Sequence, residues 1–270
     1  MGSAGDAYSA FDSGDANVPG DARGAGGAPR TGDSRGTGGV HVANVLGSVG
    51  GAHSAGGSGG AGDVPGAGAG DFAARKKALR RNLLGVLKAM PEAERLASDA
   101  QIRRTVAEMP AYQQAMRLFV FVGSGWEVDT RPLIEAALAV GKQVAVPRCL
   151  PGASRDMEAC LIRSLSELWQ VPPLGLWEPV PGTPILAPEK IDLALIPCVA
   201  CDMSGRRLGR GGGYYDRFLQ RSHISSAALC RRALLLEELP VEAHDEKVGM
   251  IVTETGLYVP DDKERNTWAP

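Results

Sequence analysis

The sequence predicts an α/β fold: a mostly parallel sheet covered by helices on both faces, preceded by a disordered N-terminal tail. From Asp71 onward, short apolar runs alternate with amphipathic segments, which is the pattern of strands joined by crossover helices. The run IDLALIP at 191–197 is apolar at nearly every position, as expected of an interior parallel strand. The first 70 residues show neither pattern.

Residues 1–70 differ in composition from the rest of the chain. They hold 22 of the 36 glycines, no Lys or Glu, and only three Arg. With almost no aromatic or β-branched side chains, such a segment cannot bury enough apolar area to offset its chain entropy. A chain of 270 residues has room for one large domain with a tail, or for two small domains. The composition favours a disordered leader at 1–70 and one folded domain at 71–270.

Two helices are predicted at the start of the folded part. In the first, 75–90, apolar residues such as Leu79 and Leu83 recur at helical spacing, with Arg and Lys opposite. On pattern alone, that basic face is a solvated surface. The second, 91–109, begins with Pro and acidic residues, as helix N-termini do, and stops before Pro110.

A strand–helix–strand unit is predicted next. The run RLFVFV at 117–122 has the character of a buried strand, 131–140 that of a helix ended by Gly141, and QVAVP at 143–147 that of a second strand. Between the first strand and the helix lies the loop GSGWEVDT at 123–130.

The second half of the domain continues the alternation. The strand at 191–197 leads through a glycine-rich loop to a helix at 214–222, and short strands are predicted around 227–236 and at 250–253. In open α/β sheets, ligands gather at the carboxyl ends of strands. We therefore expect the site in the loops that follow the strands, at 123–130 and 198–215.

Charge and composition argue against several classes of protein. The formal net charge is −2; six Asp and three Arg give the tail −3, which leaves +1 for residues 71–270, so no basic footprint for nucleic acid is present. No apolar run approaches the ~20 residues of a membrane span. The odd number of scattered cysteines, five, suits reduced thiols in the cytoplasm. A mitochondrial location is the alternative, although a leader richer in Asp than in Arg is unlike a transit peptide.

The segment RRLGRGGGYYD, 206–216, is the strongest chemical signal. Its clustered glycines lack a Cβ, so their N–H groups can approach phosphate oxygens, and the following helix adds its positive N-terminal end. Arg207 and Arg210 supply positive charge, and Asp216 is suited to a divalent cation. The segment is neither a Walker A loop nor a dinucleotide-binding GxGxxG motif. The alternative is a glycine-rich surface turn with two exposed arginines.

These residues resemble the 5-formyltetrahydrofolate cyclo-ligase family, also called methenyltetrahydrofolate synthetases. The resemblance runs from about Arg75 to Glu254 and rests on RRLGRGGGYYDRFL, the upstream IDLALIP, EVDT at 127–130, KKALR at 76–80, and the late VEAHDEKV and IVTE. It implies a three-layer α/β/α fold and an ATP- and Mg²⁺-dependent closure of 5-formyltetrahydrofolate to 5,10-methenyltetrahydrofolate. We expect a monomer that acts on a reduced folate and ATP.

The resemblance also implies roles for individual residues. The ATP-binding residues are Lys76, Arg80, Arg207, Leu208, Gly209, Arg210, Gly211, Gly212, Gly213, Tyr214 and Tyr215. Folate contacts are expected from Val122 and Glu127, and from the loop residues Arg210, Gly211, Gly212, Gly213 and Tyr214. Arg210 and Tyr214 are the catalytic candidates, and Asp216 with Asp245 the candidate Mg²⁺ ligands. We expect the main chain at Gly212 to face the nucleotide with a positive φ.

The chain departs from the family pattern in two places. Where the family has roughly PGxAFD, this chain has PCVACD, with Cys198 and Cys201 in a CxxC spacing. That spacing suggests a redox or zinc site, but with no second cysteine pair and no nearby His, two small packing residues are the favoured interpretation. Trp126, next to Glu127, is also atypical and would alter the packing around the pterin.

Two other functions are compatible with parts of the pattern. One is a non-catalytic relative that keeps the fold as a nucleotide- or folate-binding module. The other is a nucleotide- or sugar-phosphate-binding α/β enzyme such as a dehydrogenase or isomerase. Nicotinamide dependence is disfavoured because the loop lacks the third glycine and a suitably placed acid for the ribose.

Overall fold

The computed structural model describes residues 69–260, except positions 151, 153, 173, 174, 241 and 243. The disordered leader predicted at 1–70 lies outside the described residues, apart from its last two positions, where the first helix has already begun. The last part of the predicted 71–270 domain, residues 261–270, is likewise outside them. The described part contains no helix long and apolar enough to cross a bilayer.

Five α-helices are present in the described part of the chain: α1 Ala69–Ala89, α2 Glu92–Glu108, α3 Pro110–Gln114, α4 Arg131–Ala139 and α5 Tyr214–Ser222. Short 3₁₀ turns lie at Leu165–Glu167, Pro188–Lys190 and Arg232–Leu234. Pro91 precedes the first residue of α2, and Glu92 and Glu94 lie in its first turn, where negative charge is favourable. The chain turns at Met109, and Pro110 then begins α3, a helix that the sequence pattern does not reveal.

Twelve strands are found within the described residues: β1 Arg117–Val120, β2 Gln143–Cys149, β3 Met157–Ile162, β4 Leu168–Val171, β5 Leu176–Pro179, β6 Leu193–Pro197, β7 Ala200–Asp202, β8 Arg207–Leu208, β9 Ser226–Leu229, β10 Leu235–Leu236, β11 Met250–Thr253 and β12 Gly256–Tyr258. The region around 227–236, where the sequence predicts short strand structure, contains two strands. These strands, β9 and β10, belong to different sheets, which the sequence pattern does not reveal.

The main sheet has the strand order β12-β11-β9-β6-β1-β2-β3. Its inner pairs, β11 with β9, β9 with β6, β6 with β1 and β1 with β2, are parallel, and the outer strands β3 and β12 pair antiparallel. Two small sheets flank it, β10-β7-β8 and the hairpin β4-β5. The predicted mostly parallel sheet is therefore confirmed.

Alternate residues of the central strands point to opposite faces of this sheet. Phe119, on one face, belongs to an apolar cluster with Leu83 of α1 and Phe218 of α5. Leu118, on the other face, belongs to a cluster with Ile102 of α2 and Ile134 of α4. All six side chains are essentially inaccessible to solvent. Helices on both faces give the three layers that the resemblance implies.

Candidate active site

A cavity of about 730 Å³ opens where the chain leaves β1 and β6, and the glycine loop between β8 and α5 lines it. Every residue that the resemblance assigns to ATP, folate or metal lines this cavity. Leu208 and Val122 are buried in its wall, whereas Gly211 is exposed. The cavity thus lies at the carboxyl ends of strands, where ligands are expected to bind in an open α/β sheet.

The glycine loop changes direction at two positions with positive φ, Gly211 at +94° and Gly213 at +71°. Gly212, where a positive φ was expected, does not have one, so that prediction is wrong. A Cβ on Gly211 would lie 3.2 Å from Cζ of Arg80. The absence of a side chain there lets the Arg80 guanidinium lie against the loop backbone, and Arg80 Nε donates to the carbonyl of Gly209 at 2.7 Å.

Lys76 and Arg80 are one helical turn apart on α1 and share a face. The Lys76 side chain is only 9% exposed; its Nζ donates to Glu242 Oε2 at 2.8 Å and also to Asp245 Oδ2. Burial lowers the pKa of Arg80, while Asp245 and Glu242 act in the opposite direction. The solvated basic face predicted from the pattern applies to the exposed Lys77 but not to Lys76.

Arg207 is a buried cation beneath the loop, with a side chain 3% exposed. Its Nη2 donates to Asp216 Oδ1 at 2.8 Å, and its guanidinium lies 5.8 Å from the centre of the Tyr215 ring. The backbone N–H of Glu246 donates to the same Asp216 oxygen at 3.3 Å. Asp216 therefore stabilises a buried positive charge, whatever else it binds.

Glu127 and Arg210 bring the two predicted loops together. Arg210 Nε lies 3.1 Å from Glu127 Oε1, and the Arg210 guanidinium stacks over the Trp126 ring at 4.9 Å. Glu127 Oε2 accepts hydrogen bonds from the backbone N–H and hydroxyl of Ser124. Burial raises the pKa of Glu127, and Arg210 and Ser124 partly offset that effect.

The loop that carries Glu127 is held by local contacts. The Thr130 hydroxyl donates to the carbonyl of Phe121 and accepts from the N–H of Gly123 at 3.1 Å. At Gly123 a Cβ would lie 2.0 Å from the carbonyl oxygen of Val128, so only glycine allows this close return of the chain. These contacts fold the loop back over the end of β1 and aim Glu127 into the cavity.

Residues 73–254, more than half of the chain, match the 5-formyltetrahydrofolate cyclo-ligase family. The chain belongs to this family. The mouse 5-formyltetrahydrofolate cyclo-ligase is 30% identical over 190 residues, which cover 66% of this chain and 93% of the mouse protein. The mitochondrial 5-formyltetrahydrofolate cyclo-ligase of Arabidopsis thaliana is 30% identical over 210 residues, covering 68% of this chain and 75% of that one.

A solved structure agrees with the sequence relatives. The NMR structure of Aquifex aeolicus 5,10-methenyltetrahydrofolate synthetase has a TM-score of 0.62 and 28% identity, and the match covers 70% of this chain and 94% of that one. The family, the ligase class and the fold implied by the resemblance are therefore confirmed.

Sequence reasoning missed several lining residues of this cyclo-ligase site. Glu242, the second partner of Lys76, lies in the VEAHDEKV segment but was not assigned a role. Arg155, which follows β2, donates from Nη1 to the carbonyl of Gly212 at 3.2 Å, and no motif marks it. Trp177 of β5 also lines the cavity. Residues on weakly patterned connections offer no periodic signal from which their place could be inferred.

Three cysteines meet beside this cyclo-ligase cavity. Cys201 Sγ lies 3.5 Å from Cys198 Sγ, and the sulfur of Cys230 completes a group whose atoms all lie within 4.8 Å of one another. The hydrogen bond from Cys201, with a further one from Cys230, lowers the pKa of Cys198 well below its usual range. Their hydrogen bonds to Cys198 raise the pKa of Cys201 and of Cys230. The CxxC pair thus has a third cysteine that spacing alone does not reveal.

Proposed function

We propose that the chain catalyses the ATP- and Mg²⁺-dependent closure of 5-formyltetrahydrofolate to 5,10-methenyltetrahydrofolate, releasing ADP and phosphate. The observation that carries the proposal is that one cavity unites the cations of α1 and the glycine loop with the Glu127 carboxylate. Cations suit a triphosphate, and a buried carboxylate suits the N–H groups of a pterin. Membership of the family supports the same reaction.

In this proposal, ATP binds along the glycine loop. Lys76, Arg80 and Arg207 supply positive charge to its phosphates, and the loop N–H groups with the N-terminal end of α5 add hydrogen-bond donors. Burial of Lys76 and Arg207 strengthens their attraction to phosphate, because water screens a buried charge less. The hydrogen bond from Arg80 to the Gly209 carbonyl orients the guanidinium before ATP binds.

The residues present fit a magnesium ion. Mg²⁺ prefers oxygen ligands and is usually held by one or two carboxylates together with substrate phosphates. Asp216 and Asp245 are the proposed ligands, and Asp245 shares a compact group with Glu242 and His244, whose ligand atoms lie within 4.8 Å of one another. When bound, Mg²⁺ would neutralise charge on the phosphate oxygens.

The folate is proposed to bind at the other side of the loop. Glu127 accepts hydrogen bonds from pterin N–H groups, while Val122 and the ring of Trp126 offer apolar surface within the cavity wall. Backbone groups from Arg210 to Tyr214 lie between the two substrates, and Tyr214 is placed to stack or donate a hydrogen bond. Binding both substrates against one loop brings the formyl oxygen toward the γ-phosphate.

The chemistry requires activation of an amide-like formyl group, whose oxygen is a poor leaving group. The formyl oxygen attacks the γ-phosphorus, a P–O bond forms, and the bond to ADP breaks. N10 then attacks the formyl carbon, loses its proton, and the C–O bond breaks to release phosphate. The Arg210 guanidinium stabilises the charge of the transferring group, and positioning supplies most of the remaining rate enhancement. No covalent bond to the protein is needed.

Further expectations belong to the same proposal. We propose that residues 71–270 form the catalytic domain, that the leader is dispensable for turnover, and that the enzyme is a cytoplasmic monomer without nucleic-acid or membrane partners. The mitochondrial relative from Arabidopsis thaliana keeps a mitochondrial location as the alternative.

The test is formation of 5,10-methenyltetrahydrofolate from 5-formyltetrahydrofolate, followed by near-ultraviolet absorbance with the full chain. Product should appear only when ATP and Mg²⁺ are both present, and a chelator should stop it. A non-catalytic relative would bind one or both substrates in calorimetry and form no product, which would contradict the proposal.

A further inference from the structure

We propose that Cys198, Cys201 and Cys230 form a binding site for one thiophilic d¹⁰ cation of the Zn²⁺ class. This site is separate from the carboxylates proposed for Mg²⁺, because thiolates select soft or borderline cations, whereas Mg²⁺ takes oxygen ligands. The inference does not depend on the proposed reaction. It follows from how the fold brings the three sulfur atoms together.

The topology explains why three residues that are distant in sequence converge. β6 and β9 are parallel neighbours, and Pro197 is paired with Leu229 at their ends. Cys198 directly follows β6 and Cys230 directly follows β9, so the two cysteines leave the sheet side by side. Three residues later, in β7, the chain has folded back enough for Cys201 Sγ to lie 3.5 Å from Cys198 Sγ.

The distances suit a shared metal ion. Zn–S bonds are about 2.3 Å, so two sulfur ligands of a tetrahedral ion lie about 3.8 Å apart. The cluster has one pair at 3.5 Å and all three sulfur atoms within 4.8 Å of one another. A disulfide would need two sulfur atoms at about 2.05 Å and would leave the third unused. The observed spacing is therefore nearer to a three-thiolate metal site than to a disulfide.

Burial and charge favour the same assignment. Cys201 and Cys230 are buried, whereas Cys198 is partly accessible and lines the cavity. A cation can thus enter from the cavity, take three protein sulfurs and keep a fourth position for solvent, as three-ligand zinc sites do. Three thiolates around a divalent ion carry one net negative charge, and the positive charges of Arg207 and Arg231 act on Cys198. Arg207 is also paired with Asp216 and Arg231 with Asp99, so their attraction offsets part of that charge.

Metal binding by the full chain tests the inference. The reduced, metal-free protein is titrated with Co²⁺ as a spectroscopic probe, then with Zn²⁺ in competition with a chromogenic chelator. We expect one ion per chain and a sulfur-to-cobalt charge-transfer band that Zn²⁺ abolishes. Cys230→Ala should weaken Zn²⁺ binding by about 100-fold or more and reduce that band, because a direct ligand is lost. Cys160→Ala, which removes a buried thiol outside the cluster, is the matched control and should bind like the wild type.

Each alternative gives a different result. Cobalt binding without the charge-transfer band, or binding that survives Cys230→Ala and is lost in His244→Ala, would assign the ion to the Glu242, His244 and Asp245 group and overturn the inference. Wild-type protein that takes up no Zn²⁺, but loses two thiols to diamide, would overturn it in favour of a redox pair. The wild-type cobalt spectrum decides the matter even if a cysteine variant fails to fold.

Discussion

The guanidinium of Arg210 pairs with the carboxylate of Glu127, with 3.1 Å between Nε and Oε1. Arg210 belongs to the glycine loop that the proposal assigns to ATP, and Glu127 to the loop that it assigns to the folate. The Glu127 side chain is 9% exposed and that of Arg210 42%, so the carboxylate is the buried partner of the pair. This ion pair connects the loop proposed to bind ATP with the loop proposed to bind the folate.

Glu127→Ala should weaken the use of folate much more than that of ATP. A carboxylate accepts hydrogen bonds from pterin N–H groups but repels phosphate, and loss of a charged hydrogen-bond partner costs ~1.5–3 kcal/mol. We expect kcat/KM for the folate to fall by roughly 10- to 100-fold, with a smaller change in KM for ATP. Glu135→Ala, at an exposed position of α4, is the control. A larger loss on the ATP side would assign Glu127 another role.

Ser124→Ala should move the acid limb of the folate kcat/KM profile to higher pH. Burial raises the pKa of Glu127, and the Ser124 hydroxyl lowers it. Without that hydroxyl the pKa rises further, so the carboxylate is protonated at a higher pH than in the wild type. Ionisation of the substrate affects the wild-type and Ser124→Ala profiles equally, so the shift between them reports the pKa of a group on the enzyme. Ser166→Ala, on the surface, should leave the profile unchanged, and a shift toward lower pH in Ser124→Ala would contradict the role of Glu127.

Lys76→Met should raise KM for ATP by roughly 10- to 100-fold, because a buried cation suited to phosphate is lost. The neighbouring Lys77→Met removes the same charge from an exposed position of the same helix. If position rather than total charge matters, only Lys76→Met impairs ATP use. Equal effects of the two variants, measured at matched ionic strength, would indicate a general electrostatic contribution instead.

Gly211→Ala should destabilise the fold by about 1–3 kcal/mol, because it places a side chain at a φ of +94°. Its Cβ would also press on the Arg80 guanidinium at 3.2 Å, so KM for ATP should rise as well. Gly85→Ala lies within α1 with no atom near the added Cβ, and alanine should stabilise that helix by about 0.5–1 kcal/mol. Urea unfolding and steady-state kinetics measure both effects. An unchanged KM in folded Gly211→Ala would argue that this turn does not shape the ATP site.

Elements with a clear period or a buried apolar run were predictable from the sequence. The predicted helix at 214–222 and the predicted strand at 250–253 coincide with α5 and β11. β8 and β10 have two residues each, too few to show alternation. The hairpin β4-β5 lies among prolines and a glycine, which suggest a loop. Such short strands form because the tertiary fold brings a neighbouring segment within hydrogen-bonding distance of their backbone.

The site was predictable where chemistry and topology coincide. The glycine loop and the Glu127 loop both follow strands, so their place at one end of the sheet could be inferred before the structure was known. The pairing of Lys76 with Glu242 joins residues 166 positions apart, and Cys230 reaches Cys198 only through the register of β6 and β9. Contacts of this kind depend on the tertiary fold and leave no local signal.

Transfer of the γ-phosphoryl group to the formyl oxygen would leave an isotopic record. If 5-formyltetrahydrofolate labelled with ¹⁸O in the formyl group is turned over with ATP and Mg²⁺, the released inorganic phosphate should carry one ¹⁸O atom, detected by mass spectrometry or by its ³¹P shift. ATP hydrolysed without ring closure would give unlabelled phosphate. Labelled phosphate formed in step with methenyltetrahydrofolate is the expected result; product formation with unlabelled phosphate would contradict activation of the formyl oxygen by ATP.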